Sequence, residues 1–78
     1  MKEPGLQELF INALRTEKIP ATFFLVNGFQ MKGKILAFDS FTVLLQCGDC
    51  QELIFKHAIS TIIPQRPASL TIRENAEE

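Results

Sequence analysis

The sequence has no tryptophan and no tyrosine, one histidine and two cysteines in 78 residues. Two cysteines allow at most one internal bridge, so no disulfide framework holds this chain. A lone histidine removes every metal site that needs a histidine pair. Long hydrophobic runs are missing too: the uncharged apolar stretches last a handful of residues, far below the roughly 20 that cross a bilayer. Charge of one sign is not in excess, with 8 basic against 9 acidic residues and a net charge of −1. Composition therefore does not advertise a polyanionic partner. The opening Met1-Lys2-Glu3-Pro4-Gly5 leads into a helical pattern broken by Asn12 and Arg15, without the apolar stretch of a signal peptide. The expected location is the cytoplasm, with both thiols reduced.

What is present is apolar. Hydrophobic residues make up 46% of the chain and seven of them are phenylalanine. A chain this short forms one domain whose core supplies only about 3 to 5 kcal/mol, and it carries more apolar surface than a small monomer hides. Self-association is expected.

Leu6, Leu9, Phe10, Ala13 and Leu14 follow the spacing of an amphipathic helix, which Pro20 is expected to stop. Beyond it the residues become β-branched and aromatic. Thr22 to Val26 reads as a first strand, with Asn27-Gly28 supplying the positive φ angles of a tight hairpin turn. Phe29 to Phe38 is a long second strand with Gly33 at its middle, where a missing side chain permits a bend. Asp39-Ser40 makes a turn, Phe41 to Gln46 a third strand, Cys47 to Cys50 another turn, and Gln51 to Lys56 a fourth strand. His57-Ala58 leads into Ile59 to Ile63, which Pro64 ends. The expected class is mainly β with one N-terminal helix, followed by a five-stranded, strongly bent antiparallel sheet or open barrel. If the fourth and fifth strands lie at opposite edges, copies can pair head to tail and close a ring. The domain is expected to span residues 6–66, between a flexible N-terminus (1–5) and a polar, acidic tail (67–78) that is partly disordered.

Several segments together carry a family resemblance: Asn12-Ala13-Leu14-Arg15, Leu25-Val26-Asn27-Gly28-Phe29, the Gly33 bend, Phe38-Asp39-Ser40-Phe41, and above all Lys56-His57-Ala58-Ile59-Ser60-Thr61. Over roughly residues 6 to 66 the chain closely resembles Hfq, the bacterial Sm-like RNA chaperone family. The resemblance implies a homohexameric ring that binds single-stranded RNA and pairs small regulatory RNAs with messenger RNAs, with no catalysis and no cofactor.

By the same resemblance, a proximal face takes uridine-rich 3′ ends, with a base stacked on Phe41 and Gln7, Ser40, Lys56 and His57 offering hydrogen bonds or charge. An aromatic platform contributes about 1 to 3 kcal/mol per stacked base. Ser40 is shorter than the amide side chain common at that place, and Phe55 stands where a tyrosine is usual. A distal face for A-rich strands comprises Phe24, Leu25, Gly28, Phe29, Gln30, Lys32, Glu52 and Thr61. Glu52 falls where the family has a glutamine, and a carboxylate accepts from adenine N6 but cannot donate to N7. Read without the family, Phe24 and Phe29 are a cross-strand core pair. The rim is Asn12, Arg15, Lys18 and Phe38, a thinner cationic patch than in strongly annealing family members.

Other chemistry finds little support. Cys47 and Cys50 are half a zinc site with nothing to complete it, and they lack the strand-helix context of a redox pair, so neither a metal nor a redox role is expected and a simple turn is favoured. Asp39 and Ser40, adjacent on one turn, are poorly placed to flank the His57 imidazole as a catalytic triad. The remaining alternative is an oligomeric β-barrel module that binds protein partners and ignores RNA. The tail glutamates Glu74, Glu77 and Glu78 aid solubility and could compete with phosphate for Arg15 and Lys18. Through Pro64 there are six basic and six acidic residues, so net charge is a poor guide where ring symmetry multiplies one lysine by six.

Overall fold

A computed structural model describes residues 5–70. The expected flexible N-terminus lies outside them but for Gly5, as does the tail beyond Leu70 with its three glutamates. The order of elements is α1 (Leu6–Thr16), β1 (Ala21–Leu25), β2 (Gln30–Phe38), β3 (Thr42–Cys47), β4 (Cys50–Phe55), a 3-10 turn (Lys56–Ala58) and β5 (Ile59–Pro64). One helix followed by five antiparallel strands is the architecture that the sequence suggested.

The helix ends four residues before Pro20, for a reason that sequence does not advertise. The Ile19 amide donates to the Leu14 carbonyl at 3.0 Å and the Lys18 amide to the Arg15 carbonyl at 3.3 Å. That pair of bonds closes the last turn as a Schellman motif, with Lys18 in the left-handed position (φ 55°) where glycine is usual. Leu14 and Ile19, both fully buried, make the apolar contact across the cap.

The sheet runs β4-β3-β2-β1-β5, so β4 and β5 are its two edges. Strand β2 is shared: Gln30 to Gly33 pairs with β1, whereas Lys34 to Phe38 pairs with β3. The hinge is Gly33. A Cβ there would lie 2.5 Å from the Gln46 carbonyl oxygen and 2.9 Å from Cys47 Sγ, so only glycine allows β3 to pass this closely. Helix α1 and the inner faces of both halves enclose the core of Ile11, Leu14, Ile19, Phe23, Val43 and Leu45, joined by Ala21, Ile35 and Ile54. Each large side chain removed from water contributes about 1.5 to 3 kcal/mol.

The first hairpin differs from the expected two-residue turn. The Gly28 amide donates to the Leu25 carbonyl (2.9 Å) and the Leu25 amide to the Phe29 carbonyl (2.8 Å), which leaves a three-residue loop. Only Gly28 has positive φ there (96°), and Asn27 instead accepts the Phe29 amide through its side chain at 3.0 Å. Phe29 consequently points away from the core, so Phe24 pairs with Gln30 rather than with Phe29. The β3–β4 hairpin is tighter, with Cys47 directly opposite Cys50 across Gly48-Asp49. After β5 the chain turns back to the helix: the Arg66 guanidinium and the Ser69 amide both reach Glu17, and Ala68 packs on the core. No helix among the described residues is long and apolar enough to cross a membrane.

Candidate nucleic-acid interface

Phe41 is the most exposed large apolar side chain among the described residues, at 74%. A rigid turn presents it. Asp39 Oδ1 accepts the Phe41 amide (2.8 Å), the Thr42 amide (2.7 Å) and the Thr42 hydroxyl (2.8 Å). These donors, the Phe41 amide foremost and then the Thr42 hydroxyl and amide, hold the Asp39 carboxyl below the usual carboxylate range. The Lys56 amide donates to the Phe41 carbonyl (2.8 Å), tying this turn to the 3-10 turn that carries Lys56 and His57.

Lys56 is the only charged residue buried among those described, and its Nζ has no hydrogen-bond partner. Its nearest anion is Glu8 Oε2 at 3.8 Å, and the Phe38 ring centre lies 5.1 Å away. A desolvated ammonium held by a ring face and one distant carboxylate has donors to spare. His57 is exposed and stacks on Phe55, ring centres 5.6 Å apart and planes at 20°. Gln7 on the first turn of α1 and Ser40 beside Phe41 are exposed.

A second group shares the outer face of the sheet. Strand register places Gln30 and Thr61 on either side of Phe24, and Lys32 and Ile63 on either side of Thr22. Phe24, Gln30, Lys32 and Thr61 thus form a patch across β2, β1 and β5. A depression of about 280 Å³ between Pro20, Thr22, Lys32, Ile63 and Gln65 adjoins it. Gly28 and the exposed Phe29 belong to the hairpin loop at its end, while Leu25 packs toward the core. Glu52 lies on β4, opposite Leu45 and at the far edge of the sheet from β5. One chain alone does not bring it to the patch.

The third group gathers at the end of α1. Arg15 donates to Asn12 Oδ1 at 2.7 Å, and its guanidinium carbon lies 5.9 Å from the Phe38 ring centre. Phe38 therefore lies within reach of two cations, Arg15 and Lys56. Lys18 and Arg15 line a cleft of about 400 Å³ together with Lys34, Leu36 and Gln46. The sequence reading passed over Lys34, which directly opposes Gln46 in the β2–β3 register. Lys34, one residue past the Gly33 hinge, thus shares this cleft with Lys18, which lies just beyond the end of α1. The signal available was a cation one residue past the glycine. No cluster of metal-ligating side chains occurs among the described residues.

Comparison with known proteins places this arrangement. The family model described as Hfq protein matches residues 6–69. RNA-binding protein Hfq of Thermosipho africanus is 56% identical over 73 residues, covering 94% of this chain and 87% of that protein. Its counterpart in Brevibacillus brevis is 51% identical over 74 residues, covering 95% and 94%. A crystal structure of the pleiotropic translational regulator Hfq superposes with a TM-score of 0.73 at 39% identity, covering 76% of this chain and 98% of that one. With a family model spanning most of its length, close relatives and a shared fold, the chain belongs to the Hfq family.

Proposed function

We propose that the chain is a non-catalytic RNA chaperone that closes head to tail into a homohexameric ring and binds single-stranded RNA on both faces and its rim. The observation that carries this reading is the pairing of a buried, hydrogen-bond-free Lys56 Nζ with the exposed Phe41 platform on two turns bonded to each other. A base stacks on Phe41 while Lys56, His57, Gln7 and Ser40 grip its polar edge, its ribose or its phosphate. Uridine-rich 3′ ends of small regulatory RNAs are the ligands of this face. A-rich segments of messenger RNAs take the patch of Phe24, Gln30, Lys32 and Thr61 with the loop residues Leu25, Gly28 and Phe29. Asn12, Arg15, Lys18 and Phe38 form the rim, to which Lys34 adds a cation. Pairing the two RNAs regulates translation and message stability in the cytoplasm, without a cofactor.

Ring closure has support in the unpaired edges. Leu53 and Phe55 on β4 and Ile63 on β5 are all more than half exposed, which places apolar side chains along both free strands. Pairing β4 of one copy with β5 of the next buries them and carries Glu52 toward the Phe24 patch of its neighbour. The test is the mass of the native assembly with and without short U-rich and A-rich oligonucleotides. A hexamer that shifts with both is expected, with affinity falling steeply as salt rises. A monomer with no shift overturns the reading, and a ring whose binding ignores both RNA and salt points to a protein-interaction module.

A further inference from the structure

The two cysteines take no part in the RNA-binding reading, yet the fold places them together. Cys47 ends β3, Cys50 begins β4, and they face each other as Cα partners across the two-residue turn Gly48-Asp49. Directly opposed residues of an antiparallel pair have Cα atoms about 4.5 to 5.5 Å apart, inside the 4.4 to 6.8 Å range of disulfides. Both are free thiols on the same face of the hairpin. They are unlike in setting: Cys50 is exposed, whereas Cys47 is half-buried, with its sulfur against the space left by the missing Gly33 side chain. No third ligand gathers beside them to make a metal site among the described residues.

We propose that Cys47 and Cys50 form a reversible redox clip at the tip of the β3–β4 hairpin, closed by a small-molecule disulfide and opened by a thiol. The exposed Cys50 thiol loses its proton and attacks one sulfur of the oxidant RSSR. The RS–SR bond breaks, a Cys50–SR bond forms, and RS⁻ leaves and takes up the proton. Cys47 then loses its proton and attacks the Cys50 sulfur, expelling the second RS⁻, which is protonated in turn. The cysteines give up two electrons and two hydrogens, and RSSR becomes two RSH. The order of attack follows from the surroundings of Cys47, whose thiol is pushed up by burial first and then by the nearby Glu52 and Cys50. A less ionised, half-buried thiol suits the resolving role, because the mixed disulfide at Cys50 brings the electrophilic sulfur to it. The clip acts at the turn end of β4, which within one chain is held by β3 alone, and closing it ties that end to β3 against fraying.

The test treats the full-length protein with oxidised glutathione, followed by intact-mass measurement, peptide mapping and a non-reducing denaturing gel. Wild type is expected to lose two hydrogens in mass, retain no glutathione and run as a single chain. Dithiothreitol should restore two titratable thiols per chain. Cys47→Ser should stop at a stable glutathione adduct on Cys50, and Cys50→Ser should react at least about tenfold more slowly, as thiol exchange depends on access and ionisation. Persistent glutathione on wild type, chains cross-linked to one another, or no reaction overturns the clip. Circular dichroism of each variant confirms that it is folded. A slower hydrogen exchange at β4 in the oxidised protein is expected, and an unchanged or faster one removes the proposed effect on that strand.

Discussion

The Lys56 ammonium lies 5.1 Å from the centre of the Phe38 ring and 3.8 Å from the Glu8 carboxylate. A ring face attracts the cation without neutralising it, whereas the carboxylate competes directly with an incoming anion. Glu8→Gln is therefore expected to tighten U-rich RNA by about two- to fivefold, the range of a partly exposed ion pair. Fluorescence anisotropy at fixed salt checks this. Weaker binding would assign Glu8 to RNA contact instead.

Phe41 packs on little and is held out by its turn, so its loss should separate binding from folding. Phe41→Ala is expected to leave thermal stability within about 0.5 kcal/mol of wild type, as for exposed positions. Affinity for a U-rich oligonucleotide should fall by about 1 to 3 kcal/mol per stacked base. Titration of both proteins, alongside thermal melts, gives the two readouts.

The Asp39 turn makes stability sensitive to acid. The folded carboxyl is more acidic than the ordinary value of 3.8, because the Phe41 amide and then the Thr42 hydroxyl and amide donate to it. Its stabilisation is thus complete above the unfolded value and is lost as pH falls through the lower, folded one. Asp39→Asn keeps an oxygen acceptor but does not titrate. Urea unfolding at several pH values is expected to show a shallower loss of stability below about pH 4 in the variant. Parallel curves would mean that the turn does not depend on charge.

Gly33→Ala places a methyl group against the Gln46 carbonyl, a contact that backbone cannot yield cheaply. A destabilisation of about 1 to 3 kcal/mol is expected from such overpacking. Denaturant unfolding measures it. A neutral result would show that β2 and β3 can separate at the bend.

Glu52 offers the opposite experiment, a gain. Glu52→Gln supplies an amide able both to donate and to accept, and in the proposed ring it would remove six negative charges from the proposed distal face. Affinity for A-rich RNA should rise at matched salt, with U-rich affinity unchanged. Equal A-rich affinities would take Glu52 out of that face.

Much of this fold is legible in local pattern. The α1 stripe, the strand spans, the places of the turns between strands and the special role of Gly33 come from periodicity and turn chemistry, each within a window of a few residues. The rest depends on contacts that no window contains. Lys18 ends the helix in a conformation that its side chain does not favour, because Ile19 is drawn into the core beside Leu14. Arg66 and Ser69 reach Glu17 from 49 and 52 positions away, so the chain past β5 packs on the helix where sequence suggested a tail. Lys34 joins Arg15 and Lys18 only after β2 bends. Binding candidates were legible through resemblance, but the burial of Lys56 and the sharing of Phe38 by two cations came from packing.

The two free edges of the sheet are unlike strands, and in the proposed head-to-tail ring that asymmetry has a genetic consequence. A copy blocked on β5 but intact on β4 can still dock onto a normal neighbour, and it then offers that neighbour's assembly nothing to continue from. In head-to-tail closure such a copy acts as a chain terminator. A minority of blocked subunits, co-expressed with normal ones, would spoil most rings. If the proposed ring forms, lesions at either edge are expected to be dominant, whereas lesions at Phe41 or Lys56 would only dilute its proposed binding sites.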